Sequence, residues 1–437
     1  MTHRNQLQLN FSMVKHRKVE GRFGGGEITS EGGVMLTALA DRKLGLTAAL
    51  ARALPDHRAA GKVRHTMRDL LRQRIYGIAQ GWEDLNDHQT LRGDTALQTA
   101  VGREDTLASA STLCRLENKA ARHTTRLMHR VLIDTFIRSF KTPPAELVLD
   151  FDATDDRVHG SQQGAFYHGY YGDWCFLPLY VFCGEQLLVS LLRPASTDAA
   201  RGAWSVLRLL AQRLREAFPG VRLIFRGDSG FCRWRMLRWC ERNDIGYIVG
   251  LARNTRLEAL LAPTLAEAEA EFKTTQTKVR KFVELSYAAQ SWDKERRVIG
   301  KAEHTAKGAN PRFILTNVKG DGQHLYDKVY CARGEMENRI KEQQLDLFAD
   351  RTSCHAWWAN QFRLLLSSCA YVLIETIRRL GLRGTAMARA QCGTIRLKLL
   401  KIGAVVLRNT RRVQLLWSSS FPNQGIFAQA WKALSSA

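Results

Sequence analysis

The chain has 437 residues, and its 65 basic and 42 acidic side chains give a formal net charge of 65 − 42 = +23. This length suggests two or three domains, and a composition of 45% hydrophobic and 24% charged residues excludes a wholly disordered or collagen-like chain. The longest apolar run, residues 364–374, has 11 residues, fewer than the roughly 20 that span a bilayer. Nine dispersed cysteines without a Cys-x-x-Cys pair argue against a disulfide framework and a zinc ribbon. We therefore expect a reduced cytoplasmic protein with no membrane span.

Residues 1–142 are predicted to form a helical N-terminal domain. Apolar residues between positions 63 and 78 recur on one helical stripe, while Arg64, Arg68 and Arg72 follow another. The arginine stripe fits either contact with DNA phosphates or a solvated face. A second helix is predicted over residues 112–140, and Lys-Thr-Pro-Pro at 141–144 ends it, so we place the first domain boundary there.

From residue 143 the pattern changes to strands. Strands are predicted at 147–154, 176–183, 186–193, 221–228 and 247–251, with helices at 199–218 and 233–242 between the later ones. This β-β-β-α-β-α-β order is that of the α/β ribonuclease H-like fold, a mixed sheet with helices on both faces. Residues 253–311 are predicted to be a β-rich insertion, after which a strand at 312–317 and a helix at 334–348 complete a domain of residues 143–350.

Carboxylates gather on the predicted strands of this domain. Asp150 and Asp152 share one face of the first strand, because side chains two residues apart point the same way. Two carboxylates buried without partners are costly, and a divalent cation is the usual remedy. Asp228 ends a later strand at a strand-to-helix turn, where the sites of open α/β sheets collect, although a lone aspartate there is often only a helix cap.

A later helix offers the third acidic position. Arg333, Glu337, Lys341 and Gln344 fall on one helical face, which by itself fits a surface ladder of ion pairs. Together, Glu337 and the strand carboxylates predict a site for two Mg²⁺ ions about 4 Å apart. This arrangement clamps the attacking and the leaving oxygen in phosphodiester chemistry. Oxygen ligands favour Mg²⁺ or Mn²⁺ over zinc.

The C-terminal segment carries a concentrated positive charge. Residues 376–437 contain 11 basic and no acidic side chains, which leaves 23 − 11 = +12 for the other 375 residues. We predict that residues 351–437 form a helical basic region that binds DNA, with Arg408, Arg411 and Arg412 among its contacts, and that it can also mediate dimerisation. A merely solvated basic face is the alternative.

Three motifs give these candidates a family resemblance. Asp-Ala-Thr at 152–154, Arg-Gly-Asp-Ser-Gly-Phe at 226–231 and Tyr-x2-Arg-x3-Glu at 330–337 resemble the signatures of the DDE transposases of bacterial insertion sequences. The match is to the branch with a Tyr-Arg-Glu-Lys motif, and most closely to the insertion-sequence family numbered 1380. Further similar segments at 81–88, 346–351 and 396–403 extend the resemblance over nearly the whole chain.

The resemblance implies a role for each matching residue. Asp152, Asp228 and Glu337 would be the metal ligands, and Tyr330 and Arg333 would contact phosphates of the transposon end. Gln344 stands where the family has a lysine, so Lys341, one turn earlier, is the candidate for the missing charge. In relatives an aromatic residue of the insertion can hold a flipped base, and Trp292 is the only tryptophan between residues 253 and 311.

The sequence thus predicts a transposase associated with the bacterial nucleoid. It would bind the inverted repeats at the ends of its element, pair two ends in a dimer, and cut and join double-stranded DNA, including target DNA, with Mg²⁺. Two alternatives remain: a ribonuclease H-like nuclease of the junction-resolvase type, which only hydrolyses DNA, and an inactive DNA-binding repressor. A glycosidase with paired carboxylates would not explain a charge of +23.

Overall fold

The computed structural model describes residues 7–158 and 160–436. The chain divides into two compact units, each built from segments that are distant in sequence. Unit 1 contains the residues up to Gly45, Arg58–Cys114 and the residues from Thr376 onward, and unit 2 contains Leu46–His57 and Arg115–Glu375. These units do not follow the expected boundaries at residues 142 and 350. Within the described ranges, no helix has the length and apolar character of a membrane-spanning segment.

The strands are short and most of them lie in unit 2. In chain order they are β1 (Leu9–Val14), β2 (Arg17–Gly21), β3 (Ile28–Thr29), β4 (Glu146–Ala153), β5 (Asp156–Arg157), β6 (Phe166–His168), β7 (Asp173–Phe176), β8 (Leu179–Cys183), β9 (Gln186–Leu191), β10 (Arg222–Gly227), β11 (Ile245–Leu251), β12 (Val279–Tyr287), β13 (Arg296–Thr305), β14 (Gly308–Ala309), β15 (Arg312–Thr316), β16 (Ala404–Arg408) and β17 (Val413–Trp417).

The helices are distributed over both units. In chain order they are α1 (Val34–Leu44), α2 (Leu46–Ala53), α3 (Met67–Ala79), α4 (His88–Leu91), α5 (Thr95–Val101), α6 (Ala110–Asn118), α7 (Arg122–Arg138), α8 (Ala203–Ala217), α9 (Trp234–Arg242), α10 (Thr255–Thr275), α11 (Gly322–His324), α12 (Gly334–Lys341), α13 (Trp357–Thr376), α14 (Cys392–Ile395) and α15 (Gln424–Ser435). Turns of π-helix occupy Leu325–Tyr330, Glu342–Asp346, Ile377–Gly381 and Arg396–Leu400.

Unit 1 contains helices from both ends of the chain and a small sheet. Helix α3 begins at a capping box in which Thr66 and Asp69 satisfy each other's backbone N–H groups, and most of its predicted apolar stripe is buried. Arg72 of the predicted arginine stripe pairs with the buried Asp41 at 3.3 Å, so this side chain is structural. The two terminal regions are not wholly helical, because β16 pairs with both β17 and β3. The β-branched residues of β16 and β17 and the polar turn between them favour this hairpin.

Unit 2 is organised around one mixed sheet. Its strand order is β12-β13-β15-β11-β10-β4-β8-β9, with β14 paired to β13, and the three central strands β4, β10 and β11 are parallel. The predicted hairpin is present as β8 and β9, and the predicted helices between the strands are α8 and α9. A separate three-stranded sheet, β5-β7-β6, follows the end of β4.

The segment predicted to be a β-rich insertion contains a long helix as well as strands. About the first third of residues 253–311 forms the 21-residue helix α10, whose sequence is rich in Ala, Glu and Leu. Strands β12 and β13 then extend the main sheet, since β13 pairs with β15. The strands of this segment therefore continue the central sheet.

The two faces of the sheet have different surroundings. Leu147, Leu149 and Phe151 of β4 lie in the larger core, together with apolar residues of α8 and α9. Val148 packs in a smaller core on the other face, with residues of the turn that precedes α12. Side chains alternate along a strand, so Asp150 and Asp152 belong to the second face, as predicted.

Candidate active site

Asp152 lies near the end of β4 with only 13% of its side chain exposed. Its Oδ1 accepts a hydrogen bond from the backbone N–H of Ala153 at 2.9 Å. Burial raises the pKa of Asp152 to about 6, Arg333 acts to lower it, and the negative charges of Asp228 and Glu337 raise it further. The charges of Asp228 and Glu337 thus both act on Asp152, although the three side chains come from three separate elements.

Arg333 connects two of these carboxylates. Its guanidinium donates to Oδ2 of Asp152 at 3.0 Å and to Oε1 of Glu337 on α12 at 2.6 Å. Burial opposes the charge of this guanidinium, but Asp152 and then Glu337 raise the pKa of Arg333 above its ordinary value. Arg333 therefore supplies the positive charge that stabilises two neighbouring carboxylates in a partly buried position.

Asp228 stands immediately after β10, at the start of a short 3₁₀ turn. Its Oδ1 accepts from the backbone N–H of Gly230 at 2.8 Å, so the capping role considered for this residue is real. One carboxylate oxygen thus caps the turn, and the side chain is half-buried. The backbone of the turn that follows Asp228 thus holds its carboxylate in place.

Tyr330 completes the group through a close approach to β11. Burial raises its pKa, and its ring lies 5.7 Å from that of Tyr326. A Cβ atom added at Gly250 would stand 2.7 Å from the Tyr330 hydroxyl and 2.8 Å from the backbone nitrogen of Ser229. Glycine at position 250 is thus required for Tyr330 and the Asp228 turn to come together, a role that the sequence did not reveal.

Asp150 has a partner that differs from the expected metal ion. Both of its carboxylate oxygens accept hydrogen bonds from the guanidinium of Arg226, and Asp150 is 2% exposed. A third donor of Arg226 binds the carbonyl oxygen of Val329, the residue before Tyr330. Arg226 thereby connects β4, which carries Asp152, with β10, which leads into Asp228, and with the turn before α12, which carries Glu337.

The donor set fits a hard divalent cation, although the described side chains do not form a complete site. Three carboxylates of mutually unfavourable charge converge here, and a guanidinium already neutralises two of them. Within residues 7–158 and 160–436, no group of three acidic, histidine or cysteine side chains is arranged to hold a metal ion.

Three other residues predicted to contact DNA, Gln344, Lys341 and Trp292, differ in their exposure and in their contacts with protein. The amide of Gln344 donates to the carbonyl of Asp155 at 2.9 Å and to the buried Asp156 at 3.1 Å, so it contacts the segment after β4. Lys341 is exposed at the end of α12. Trp292 is half-buried and makes an edge-to-face contact with Tyr287 at 5.5 Å, with the guanidinium of Arg296 above its ring.

The three arginines predicted in the C-terminal segment lie in unit 1 and differ from one another. Arg408 donates to the carbonyls of Thr95 and Glu104 and to the side chain of Gln98, and therefore connects β16 to α5. Arg411 and Arg412 are exposed in the turn between β16 and β17. Only these two arginines of the three are placed as a DNA contact requires.

Two comparisons with known proteins give a match, one to a family model and one to a solved structure. A family model described as transposase DDE domain group 1 matches residues 11–437. Curated proteins provide no sequence match. Among solved structures, a piggyBac transposase synaptic complex with hairpin DNA is similar with a TM-score of 0.45 and 9% identity, over 85% of this chain and 80% of that chain. Because the family model covers nearly the entire sequence, the chain belongs to the transposase DDE domain group 1 family.

Proposed function

We propose that this transposase binds the inverted repeats at the ends of its element, pairs two ends in a homodimeric synapse, and cuts and joins DNA. The proposal rests above all on one observation: Arg333 bridges Asp152 and Glu337 while the charge of Asp228 acts on Asp152. Carboxylates that lie 76 and 109 residues apart in sequence (228 − 152 and 337 − 228) thus converge on one edge of the sheet. A role in folding alone does not account for such a costly arrangement.

In this proposal Asp152, Asp228 and Glu337 hold the divalent cations, two Mg²⁺ ions for which Mn²⁺ can substitute. When bound, such ions activate the attacking oxygen and stabilise the leaving oxygen of a phosphodiester. Arg333 holds Asp152 and Glu337 in place and contributes positive charge for the DNA phosphate. Tyr330, whose hydroxyl approaches Gly250, supports the turn of Asp228 and can hydrogen-bond the transposon-end strand.

For Asp150 we now propose a positioning role in place of metal binding. Its two oxygens are both engaged by Arg226, and the same guanidinium holds the carbonyl of Val329. A fixed carbonyl before Tyr330 sets where α12, the motif helix, begins, and therefore where Arg333 and Glu337 lie. Lys341 stays a candidate for phosphate contact, whereas for Trp292 and Gln344 we propose packing roles.

The finer fold and family assignments belong to the same proposal. Numbered by chain order, strands β4, β8, β9, β10 and β11 lie in the sheet as 3-2-1-4-5, with the second antiparallel to the first, which supports a ribonuclease H-like catalytic domain within residues 143–350. The motifs support membership of the insertion-sequence family numbered 1380. We propose that residues 1–142 and 351–437 serve DNA binding, the latter also dimerisation, and that the protein acts in the cytoplasm at the bacterial nucleoid.

A strand-transfer assay tests this function. The protein is incubated with Mg²⁺, a labelled DNA that carries the inverted repeats flanking its gene, and an unlabelled target plasmid. We expect labelled element ends joined to the plasmid. Cleaved fragments without joined products would instead identify a nuclease, and specific binding without cleavage in either Mg²⁺ or Mn²⁺ would identify a repressor.

A further inference from the structure

A cavity of about 360 Å³ opens beside the turn of Asp228 in unit 2. Ser229 and Gly250 form the wall nearest the carboxylates, and Tyr326 and Tyr330 form another wall from the turn that precedes α12. Arg253, just after β11, and Arg312, at the start of β15, also line it. The cavity therefore adjoins the proposed catalytic group but extends beyond the residues to which the motifs assign a role.

The lining has positive charge without compensation. Among the residues that the structure describes, no aspartate or glutamate lines the cavity. Arg253 and Arg312 are exposed, and in the described part of the chain neither side chain forms a hydrogen bond or an ion pair with protein. The side-chain amide of Asn310, which also lines the cavity, donates a hydrogen bond to Oε1 of Glu303 at 2.7 Å. Ser229 and the two tyrosines add hydroxyl groups, so the charged donors available to a ligand are the two guanidinium groups.

We propose that this cavity is a binding site for a DNA backbone phosphate next to the scissile one, with Arg253 and Arg312 as its ligands. Guanidinium groups match the geometry of phosphate oxygens, and a cavity lined by two of them without a carboxylate selects an anion. Its volume of about 360 Å³ exceeds that of one phosphate group and so leaves space for part of the adjoining sugar. The inference rests on the proposed function, because it takes DNA as the substrate held at Asp228.

The phosphate has two possible sources, the transposon-end strand and the target DNA, and a charge-removal experiment distinguishes them. Single phosphates near the cut in each DNA are replaced, one at a time, by a neutral methylphosphonate. Cleavage and joining are measured for the wild type and for the Arg253→Gln/Arg312→Gln variant. We expect one position at which the neutral linkage lowers wild-type activity by about ten-fold, but lowers the activity of the variant by less than about two-fold.

The location of that position identifies the source. If it lies in the element end, cleavage and joining both decrease, and if it lies in the target, joining of pre-cut ends decreases alone. A matched control is the Arg208→Gln/Arg242→Gln variant, which removes two exposed arginines from α8 and α9 and keeps the same net charge as the test variant. Its methylphosphonate profile should equal that of the wild type.

One outcome would overturn the proposed site: identical methylphosphonate profiles for the wild type and the Arg253→Gln/Arg312→Gln variant. That result differs from a failure of the proposed function, in which the wild type itself would neither cut nor join DNA. Both arginines are exposed, so the variant is expected to fold, and its melting temperature verifies this before the comparison.

Discussion

Gln344 donates its amide to the backbone of Asp155 and to the carboxyl of Asp156. Burial raises the pKa of Asp156 well above its ordinary value, and the hydrogen bond from Gln344 acts to lower it. A lysine at position 344 would therefore meet a buried carboxyl before it met a DNA phosphate. The spacing of the motif could not reveal this, because Asp156 lies nearly 190 residues earlier in the chain.

We predict that Gln344→Lys changes the affinity for element-end DNA by less than about two-fold, since the new charge pairs with Asp156. Lys341→Ala should weaken binding by roughly five-fold, the loss of one charge-assisted contact worth about 1 kcal/mol. The two effects should add, because the side chains share no phosphate. Fluorescence anisotropy with a labelled end measures all four proteins, and tighter binding by Gln344→Lys would contradict the assignment of Gln344 to the protein interior.

Gly250 gives a second prediction for a single residue. An alanine Cβ there would overlap the Tyr330 hydroxyl and the backbone before Ser229, and relief of such overpacking costs about 1–3 kcal/mol. We expect Gly250→Ala to displace Tyr330 and the turn of Asp228, and so to reduce DNA cleavage by at least about ten-fold.

Gly246→Ala on the same strand is the control for this substitution. Its Cβ would contact side-chain atoms of Ile224 and Val318 at 3.2 Å, away from the carboxylates, so it should lower the melting temperature without a selective loss of cleavage. Equal cleavage by both variants at matched stability would remove Gly250 from the site.

The catalytic candidates were predictable where a motif names them, and the supporting residues were not. Asp152, Asp228 and Glu337 each lie in a short recognisable pattern. Arg226 precedes Asp228 by two residues, so both side chains point to the same face. The sequence shows this spacing, but it does not show that Arg226 faces Asp150, because that depends on the pairing of β4 with β10. A glycine inside a strand, such as Gly250, indicates that another group packs closely against the backbone, but the sequence does not identify that group.

At the level of elements, Arg226 contacts the turn that leads into α12. The turn from Leu325 to Tyr330 is π-helical and is followed by one 3₁₀ turn before α12 begins. Regular helical hydrogen bonds therefore do not fix the start of α12. We propose that Arg226 supplies that constraint, because it holds the carbonyl of Val329 while it pairs with Asp150 on the neighbouring strand.

Arg226→Lys tests this constraint without deleting the buried charge. A lysine can still pair with Asp150, its direct neighbour across the strands, but one ammonium group cannot also reproduce the bond to Val329. We predict a loss of cleavage of about 10- to 100-fold and a higher Mn²⁺ concentration for half-maximal activity, with end binding within about two-fold of wild type.

Arg222→Lys is the matched control on the same strand. Arg222 pairs with Glu146 at 3.2 Å across the same two strands, but its pair is exposed and far from the motif helix. This variant should keep both the cleavage rate and the Mn²⁺ requirement of the wild type. The same Mn²⁺ requirement in Arg226→Lys as in Arg222→Lys would show that the contact with Val329 does not position the ligands.

The elements themselves were predictable to different degrees. Alternation predicted β4, and short apolar runs predicted β8, β9, β10 and β11, most of whose residues are buried. Helix α10 was missed because its charged residues read as an irregular insertion, although its alanine and glutamate content favours a helix. The pairing of β13 with β15 was not predictable, because a local sequence pattern does not show which strand lies beside which.

For the whole molecule, the concentrated basic charge of residues 376–437 is only partly available to DNA. Arg408 is engaged within unit 1, and Lys401 pairs with Glu31 at 2.6 Å and lies over the ring of Trp82. Arg411 and Arg412 are exposed at the tip of the β16–β17 hairpin. Net charge from sequence therefore overestimates the number of phosphate contacts that this segment can make.

We predict that alanine at both Arg411 and Arg412 flattens the dependence of log affinity on log salt concentration by roughly 0.9 per lost phosphate contact. Binding of specific and unrelated DNA should weaken about equally, since phosphate contacts carry no sequence information. Arg408→Ala should instead lower the melting temperature and leave the slope nearly unchanged. A slope that is unaffected by the double substitution would mean that this hairpin tip is only solvated.

The division into two units is the feature that the sequence could least predict. Unit 1 joins the first 45 residues with the last 62, and the expected boundary at residue 142 falls within unit 2. A proline-containing break marks the end of a helix, but it does not show whether that helix packs against the strands on its C-terminal side. Here α7 packs against the sheet, with Ile133 and Phe136 in its core.

The central claim is that Asp152, Asp228 and Glu337 perform catalysis and do not hold the fold or bind the DNA. Its most direct test measures cleavage and end binding for Asp152→Asn, Asp228→Asn and Glu337→Gln beside Glu335→Gln, which alters an exposed glutamate of the same helix. We predict that each of the first three abolishes Mg²⁺-dependent cleavage while end affinity stays within about three-fold of wild type, and that Glu335→Gln cleaves normally. Cleavage retained by any one of the three would contradict the account for that residue, and cleavage retained by all three would contradict the proposed site.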